Sequence, residues 1–121
     1  MAGTGWEIEY YVEDNGTSPV RAFILALDPK TRVRVQWSLD QLQVRNVMAR
    51  APLVKQVEGK IWELREESRG NIYRILYFFY HGRRIVLLHG FQKKTQKAPK
   101  GEIALAVKRM NWYVGRKGGE Q

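Results

Sequence analysis

The chain has 121 residues, 44% of them hydrophobic and 27% charged, and its formal net charge at pH 7 is +9. This length suits one domain with a single core. Cysteine is absent and only two histidines are present, which excludes disulfides and thiolate metal sites, disfavours a zinc site and predicts no cofactor. The apolar runs are too short to span a bilayer and no signal peptide is recognisable, so we expect a soluble cytoplasmic protein with no membrane partner.

The positive charge is concentrated in one part of the chain. Residues 1–29 carry one basic and five acidic side chains, whereas residues 30–121 carry 20 basic and seven acidic ones. A basic surface of this kind is typical of proteins that bind polyanions, nucleic acid above all. A solvated basic surface without a ligand would give the same composition.

The first elements are predicted to be a strand and two helices. Alternation of apolar and acidic residues in WEIEYYV indicates the strand. Ser18 and Pro19 then supply an N-cap and a proline at the first helical position, which begin a short amphipathic helix. Asp28 and Pro29 repeat this signal and begin a second helix.

The second helix, predicted to end near Ala49, carries apolar residues on two nearly opposite sides. At about 100° per residue the two sides hold Val33, Trp37, Val44, Val47 and Met48, and Val35, Leu39 and Leu42. One side is expected to face a sheet. The other is expected to pack against the first helix, with contact to a second protein as the alternative.

Three strands and a last helix follow. The runs KIWELRE, NIYRILYFFY and RRIVLLHGF are rich in aromatic and β-branched residues and are separated by short turns, which predicts an antiparallel three-stranded meander. A helix is predicted from Pro99 to about Tyr113, and residues 115–121 are expected to form a flexible tail. The predicted fold is a single α+β domain over residues 1–121, in the order strand, helix, helix, meander, helix.

Hairpin geometry predicts cross-strand neighbours in the meander. A two-residue loop at Arg69–Gly70 places Arg65 opposite Arg74. A second two-residue loop at His81–Gly82 pairs Tyr80 with Arg83 and places His89 on the other side of Arg74. A row of Arg65, Arg74 and His89 is therefore expected on one face of the sheet.

Alternation assigns the other strand residues to two faces. The first two helices are expected to cover an apolar face made of Trp62, Leu64, Tyr73, Ile75, Tyr77, Phe79, Val86 and Leu88. The opposite face is expected to hold Leu76, Phe78, Ile85 and Leu87 at one end, and Glu63, Arg65, Arg74 and His89 at the other. Two arginines directly opposite each other are unfavourable by a few tenths of a kcal/mol to about 1 kcal/mol unless an anion lies between them.

A cationic pocket is therefore predicted where the row meets the loop KKTQK. A phosphate bound there would gain charge-assisted contacts, bidentate from arginine, and these would also stabilise the charge that develops during phosphoryl transfer. For RNA the internal nucleophile would be the 2′-hydroxyl. His89 is the candidate for proton transfer, with Glu63, Tyr77 or a lysine of lowered pKa as alternatives. The lysines of this region are Lys93, Lys94, Lys97 and Lys100.

Each of these residues also has a purely structural explanation. Glu63 and Arg65 could form an ordinary surface ion pair, and His89 could be a hydrogen-bonded structural histidine. The lysines could serve only to position RNA through its phosphates. Tyr73 and Tyr77 fall on the opposite face, where core packing is expected rather than base stacking.

The sequence from GKIWELRE through YRILYFF to IVLLHGFQKKTQKAPKGEIALAVKR resembles the phage-derived branch of the RelE/HigB toxin superfamily, the toxin half of bacterial toxin–antitoxin modules. The resemblance covers residues 6–113 in the order of elements and residues 59–109 in motif detail. It implies a compact RelE-like, microbial-ribonuclease-type fold. It also implies an endoribonuclease, or mRNA interferase, that inhibits translation by cutting mRNA, commonly in the ribosomal A site, through attack of the 2′-hydroxyl without a metal.

The resemblance implies roles for several residues by motif position, while the acid and base stay unassigned. These residues are Arg65, Arg74, Lys93, Lys94 and Lys97, with Lys60 as a further candidate. A cognate antitoxin is implied as well, often a HigA-like helix-turn-helix protein. The acidic first strand and the apolar side of the second helix that does not face the sheet are the candidate antitoxin surfaces. Two other functions stay open: a ParE-like toxin that acts on DNA gyrase, and a non-catalytic nucleic-acid-binding module.

Overall fold

Five strands form one sheet with helices on both faces in the computed structural model, which describes residues 5–50, 53–93 and 100–118, without the side chain of Lys93. The elements are β1 (Glu7–Tyr10), α1 (Pro19–Leu25), α2 (Pro29–Arg45), a 3₁₀ turn (Asn46–Met48), β2 (Val54–Glu58), β3 (Ile61–Ser68), β4 (Asn71–Tyr80), β5 (Arg84–Lys93) and α3 (Lys100–Gly118). The α+β order predicted from the sequence is confirmed. No helix among these residues is long and apolar enough to cross a membrane.

The sheet has the order β1-β5-β4-β3-β2, so β5 and β4 lie at its centre. The predicted antiparallel meander is β3-β4-β5, and β1 joins it in parallel to β5. β2, an edge strand antiparallel to β3, was not predicted from the sequence. A register shift between Gln56 and Glu58 interrupts β2, so its five residues lack the strict alternation that identifies a strand.

The face covered by α1 and α2 contains the first core. Leu64, Ile75 and Tyr77 of the sheet pack there with Val35, Leu39 and Leu42 of α2. At the start of α2, Asp28 accepts hydrogen bonds from the backbone N–H of Thr31 at 3.2 Å and from its hydroxyl at 2.6 Å. These bonds hold the pKa of the Asp28 carboxyl below its ordinary value.

Two predictions for α2 are wrong. The helix ends at Arg45 instead of near Ala49, because Asn46 has a positive φ of 40° and a 3₁₀ turn follows. The apolar side that contains Trp37 does not pack against α1: it is exposed, whereas the side with Val35 and Leu39 is buried against the sheet.

The opposite face is covered by α3 and contains the second core. Ile103, Ala106 and Tyr113 of the helix pack on Leu76 and Phe78 of β4 in this core. The helix continues to Gly118, beyond the end predicted near Tyr113, and so includes residues 115–118, which were predicted to belong to a flexible tail. The predicted helix start at Pro99 lies outside the described residues.

The first hairpin has the predicted register and the second does not. Ser68 pairs with Asn71 around Arg69–Gly70, whose φ values are both positive as in a type I′ turn, so the Arg65–Arg74 pair is confirmed. The second loop contains three residues, His81–Arg83, and Tyr80 pairs with Arg84 instead of Arg83.

Because of this longer loop, side chains in the first half of β5 lie on the opposite faces of the sheet from those predicted. Ile85 and Leu87 belong to the core under α1 and α2, while Val86 and Leu88 belong to the core under α3, which is the reverse of the prediction. A bulge then follows at Leu88, because Tyr77 pairs with Leu87 but the adjacent Leu76 pairs with His89. The longer loop and the bulge each shift the register of β5 by one residue. Phe91 therefore lies opposite Arg74, two residues after the predicted partner His89.

Gly90 allows α1 to approach β5 closely. A Cβ atom at this position would lie 2.5 Å from Cδ2 of Phe23, a side chain that packs against the first core. The absence of a side chain at Gly90 therefore lets the Phe23 ring lie directly on the strand.

Candidate phosphate-binding site

Two adjacent rows of side chains cross β3, β4 and β5 on the face that α3 covers. One row is Arg65, Arg74 and Phe91, and the next is Glu63, Leu76 and His89. His89 therefore keeps the face predicted for it but belongs to the row beside the two arginines. Phe91 occupies the position beside Arg74 that was predicted for His89.

Arg74 and Glu63 form a buried ion pair that links the two rows. Arg74 Nη1 donates to Glu63 Oε2 at 3.1 Å, and the side chains are 6% and 1% exposed. The surface pair considered for Glu63 and Arg65 is thus wrong: Glu63 is buried and its partner is Arg74. The sequence offers no signal for this, since the pair forms diagonally between two strands.

The row of Arg65, Arg74 and Phe91, here called the arginine row, carries an excess of positive charge. Arg65 is exposed and lies directly opposite Arg74, and like charges in such a pair disfavour each other. Glu63 supplies one negative charge against the two guanidinium groups. In addition, Arg74 Nε is buried and has no hydrogen-bond partner within residues 5–50, 53–93 and 100–118. An anion bound at this row would balance the excess positive charge and would accept a hydrogen bond from Arg74 Nε.

His89 has both ring nitrogens within reach of side chains from α3. Its Nε2 lies 2.6 Å from Glu102 Oε1, and its Nδ1 lies 3.4 Å from Arg109 Nη1, which also donates to the Leu88 carbonyl at 2.9 Å. Because arginine can only donate, Nδ1 accepts and the hydrogen on Nε2 points to Glu102. The ring also stacks on Phe91, with centroids 5.4 Å apart. These contacts match the structural role considered for His89 and also fix its tautomer and orientation.

Glu102, Arg109 and Phe91 were not identified from the sequence. Glu102 lies in the first turn of α3, where an acidic residue is common for reasons of helix capping, so its type alone did not indicate a contact with His89. Within the described ranges, no three His, Asp or Glu side chains lie close enough together to hold a metal ion.

The predicted lysines are distributed over two ends of the sheet. Lys60 is exposed in the turn between β2 and β3, five residues before Arg65 and therefore about 17 Å from it along the strand. Lys93 ends β5 two residues after Phe91, and Lys100 is exposed at the first residue of α3. Lys60 is thus separate from the arginine row, whereas the other two belong to its end of the sheet. Lys94 and Lys97 lie outside the described residues.

Tyr77 lies on the opposite face from the two rows. It is fully buried under α1 and α2, and burial raises the pKa of its phenol well above the ordinary value. The core packing expected for Tyr77 and Tyr73 is confirmed, since both are buried. Tyr77 is therefore not positioned to exchange a proton with a ligand at Arg74.

A groove of about 670 Å³ opens between α2 and the β2–β3 edge of the sheet. Arg65 contributes to its lining and is also the cross-strand neighbour of Arg74. The groove and the arginine row therefore share one residue. Other lining residues are Trp37, Arg45, Arg50, Lys55 and Glu67.

A known family matches most of this chain. The profile of the family described as phage-derived protein Gp49-like matches residues 22–111, which run from α1 into α3 and contain both rows of the candidate site. Comparison with curated proteins finds no match. The chain belongs to the phage-derived Gp49-like family, a toxin-like family of the RelE/HigB type for which an antitoxin partner is implied.

Proposed function

We propose that this protein is the toxin of a type II toxin–antitoxin system and a metal-independent endoribonuclease, which cleaves mRNA on the ribosome and inhibits translation. The observation that carries the proposal is the arginine row: Arg65 faces Arg74, and Arg74 has a buried Nε without a partner in the described part of the chain. Family membership supports the toxin class. The row supports a ligand with a phosphate group.

In the proposed reaction, Arg65 and Arg74 bind the non-bridging oxygens of the scissile phosphate. The neighbouring 2′-hydroxyl forms a bond to phosphorus while the bond to the 5′-oxygen breaks, giving a cyclic phosphate and a free 5′-hydroxyl. Negative charge increases on the non-bridging oxygens in the transition state, and the guanidinium groups of Arg65 and Arg74 stabilise it. Glu63 holds Arg74 in place through the 3.1 Å contact.

The reaction needs one group to accept the 2′-hydroxyl proton and one to protonate the leaving 5′-oxygen. His89 is our candidate for one of these transfers, because it lies in the row beside Arg74 and is oriented by Glu102 and Arg109. The hydrogen on Nε2 is shared with Glu102, whose side chain is 44% exposed at the start of α3. A ligand oxygen that displaced Glu102 would receive that hydrogen bond.

The lysines would bind RNA around the scissile phosphate. Lys93, Lys94, Lys97 and Lys100 follow Phe91 in the sequence. Contacts with flanking phosphates and ribosomal RNA fit Lys93 at the end of β5 and Lys100 at the start of α3, and we propose the same role for Lys94 and Lys97. Lys60, at the other end of β3, would contact a more distant phosphate.

The test is 5′-end mapping of cellular transcripts after brief induction of the wild-type protein, Arg65→Ala and Lys108→Ala at equal levels. Arg65 is the better residue to replace because it is exposed. Removing Arg74 would leave the buried Glu63 carboxylate without its ion-pair partner. Lys108, exposed on α3, is the control for loss of one positive charge. We expect cuts within translated codons for the wild type and Lys108→Ala, and none for Arg65→Ala. Growth arrest with intact transcripts would overturn the nuclease and point to gyrase or another binding target.

A further inference from the structure

The exposed side of α2 carries a set of apolar side chains, here called the α2 stripe, which Asp40 interrupts and which extends into the 3₁₀ turn. Among the described residues, eight large hydrophobic side chains are exposed, and five of them are concentrated on this stripe. Their exposed fractions range from 52% to 68%. Such a concentration on one helix marks a protein-binding surface more often than scattered exposure does. The stripe consists of Val33, Trp37, Val44, Val47 and Met48.

A second copy of this chain is a poor occupant for the stripe. Asp40 lies on the same side of α2, three residues after Trp37 and four before Val44. In a symmetric pair of helices centred on the stripe, parallel or antiparallel, Asp40 would face Asp40 of the other copy. Two carboxylates in an apolar interface are strongly unfavourable. The occupant is therefore a different protein.

The groove beside Trp37 shows which charge this partner should carry. Four basic residues line it, and two of its three acidic residues have partners: Glu63 binds Arg74, and Glu66 binds Arg34 and Ser38. Glu67 is the third acid. The lining thus keeps an excess of positive charge, which complements an acidic partner. The four basic residues are Arg45, Arg50, Lys55 and Arg65.

We propose that the α2 stripe and this groove bind an amphipathic helix with an acidic flank, contributed by the antitoxin that the family implies. Its apolar side would cover Trp37 and Val44, and its acidic residues would enter the groove and reach Arg65. Since Arg65 lies opposite Arg74, a partner carboxylate there would take the place of the scissile phosphate. This last step rests on the proposed function, whereas the docking itself does not.

The experiment uses the purified protein encoded by the open reading frame that adjoins this gene, and measures its binding to the wild-type protein, Trp37→Glu and Val44→Glu. Both positions are exposed, so the variants should remain folded, and circular dichroism and thermal unfolding check this. Val114→Glu is the matched control, because Val114 is an exposed apolar residue of α3 outside the stripe. We expect each stripe variant to raise Kd by about 30-fold or more, and the control to leave it unchanged.

Charge is tested separately with Arg45→Glu and Lys55→Glu, which should weaken binding and reduce its dependence on salt. Hydrogen exchange of the complex should show protection of α2. Unchanged affinity of Trp37→Glu and Val44→Glu would overturn the proposal, and so would a wild-type dimer in sedimentation that Trp37→Glu dissociates. Protection of α3 or β1 without α2 would overturn it as well.

The same set of proteins separates this inference from the proposed nuclease. If transcripts stay intact but the stripe variants lose the antitoxin, the docking surface stands and the nuclease fails. If transcripts are cut and the stripe variants bind normally, the nuclease stands and the docking surface fails. The proposed contact between a partner carboxylate and Arg65 is tested with Arg65→Glu, which should weaken antitoxin binding. Affinity equal to that of the wild type would show that this contact does not form.

Discussion

Arg74 donates a hydrogen bond to Glu63 across 3.1 Å, and both side chains are almost completely buried on the face that α3 covers. Breaking a buried pair by removing one partner costs roughly 3–5 kcal/mol, because the remaining charge is left uncompensated. We therefore expect Arg74→Ala to lose that much free energy of unfolding in urea titrations. The double variant Arg74→Met with Glu63→Leu should lose much less. Equal destabilisation of both would show that packing, and not charge, is the main contribution.

Arg65 offers a cleaner test of phosphate binding, since it is exposed. Arg65→Ala should change the free energy of unfolding by no more than about 0.5 kcal/mol. It should lower kcat on ribosome-bound mRNA by about 100-fold to 1000-fold, the usual effect of removing one donor to a transition-state oxyanion. Arg65→Lys should restore only part of the rate, because lysine cannot bind a phosphate with two parallel hydrogen bonds. A variant that is folded and fully active would remove Arg65 from the site.

His89→Gln tests proton transfer while preserving a donor to Glu102. The amide can replace the 2.6 Å hydrogen bond but cannot titrate, so kcat should fall by roughly 100-fold or more if His89 moves a proton. Glu102→Gln is the companion variant, which should alter the pH profile of kcat through the orientation of His89. Rates within a few-fold of wild type for His89→Gln would assign the histidine a structural role only.

Tyr77→Phe is expected to stabilise the protein. The Tyr77 hydroxyl is buried without a hydrogen-bond partner in the described residues, and an unsatisfied group of this kind costs about 1–3 kcal/mol. Urea unfolding near neutral pH should show the gain. A loss of stability in Tyr77→Phe would reveal a partner for the hydroxyl.

Stability should also fall at high pH. Burial raises the pKa of Tyr77, and it raises the pKa of Tyr113 to about 12, from an ordinary value of 10.0. The folded state therefore keeps these protons when the unfolded state has lost them, so the stabilising contribution is complete below pH 10 and decreases as the pH rises towards 12. Unfolding measured across this range should show a smaller decrease for Tyr77→Phe than for the wild type.

Gly90→Ala should destabilise the contact between α1 and β5. The added methyl group would lie 2.5 Å from the Phe23 ring, and overpacking of this kind typically costs about 1–3 kcal/mol. Gly101→Ala is the matched control, because nothing lies within 4 Å of its Cβ position in α3 and alanine favours a helix. Thermal unfolding of the two variants should therefore change in opposite directions. A neutral Gly90→Ala would show that Phe23 moves aside freely.

Local turn chemistry explains which parts of the sheet could be predicted. Gly70 supports the predicted two-residue turn at Arg69–Gly70, although Arg69 itself has a positive φ of 55°, and this turn fixes the Arg65–Arg74 pair. The second hairpin also contains glycine, but Arg83 adopts a positive φ of 58° and lengthens the loop, a conformation that an arginine side chain does not indicate. The bulge at Leu88 likewise has no marker in the sequence.

In the candidate site, too, some positions could be predicted from the sequence and others could not. His89 was assigned to the correct face only because the longer loop and the bulge each shift β5 by one residue, and two shifts restore the alternation. Its neighbours Glu102 and Arg109 come from a helix whose position depends on tertiary packing. The burial of Glu63 depends on Arg74 in another strand. Contacts of this type require the folded structure, since they arise from neither periodicity nor residue type.

The parallel pairing of β1 with β5 has a consequence for synthesis of the chain. Residues Glu7–Tyr10 leave the ribosome early, yet their strand neighbour in the sheet is Arg84–Leu87, and α1 also packs on β5 through Phe23. Contacts of such long sequence separation form slowly and late. β1 must therefore stay unpaired until β5 has been translated. Before β5 is available, the nascent chain is open to chaperones and proteases.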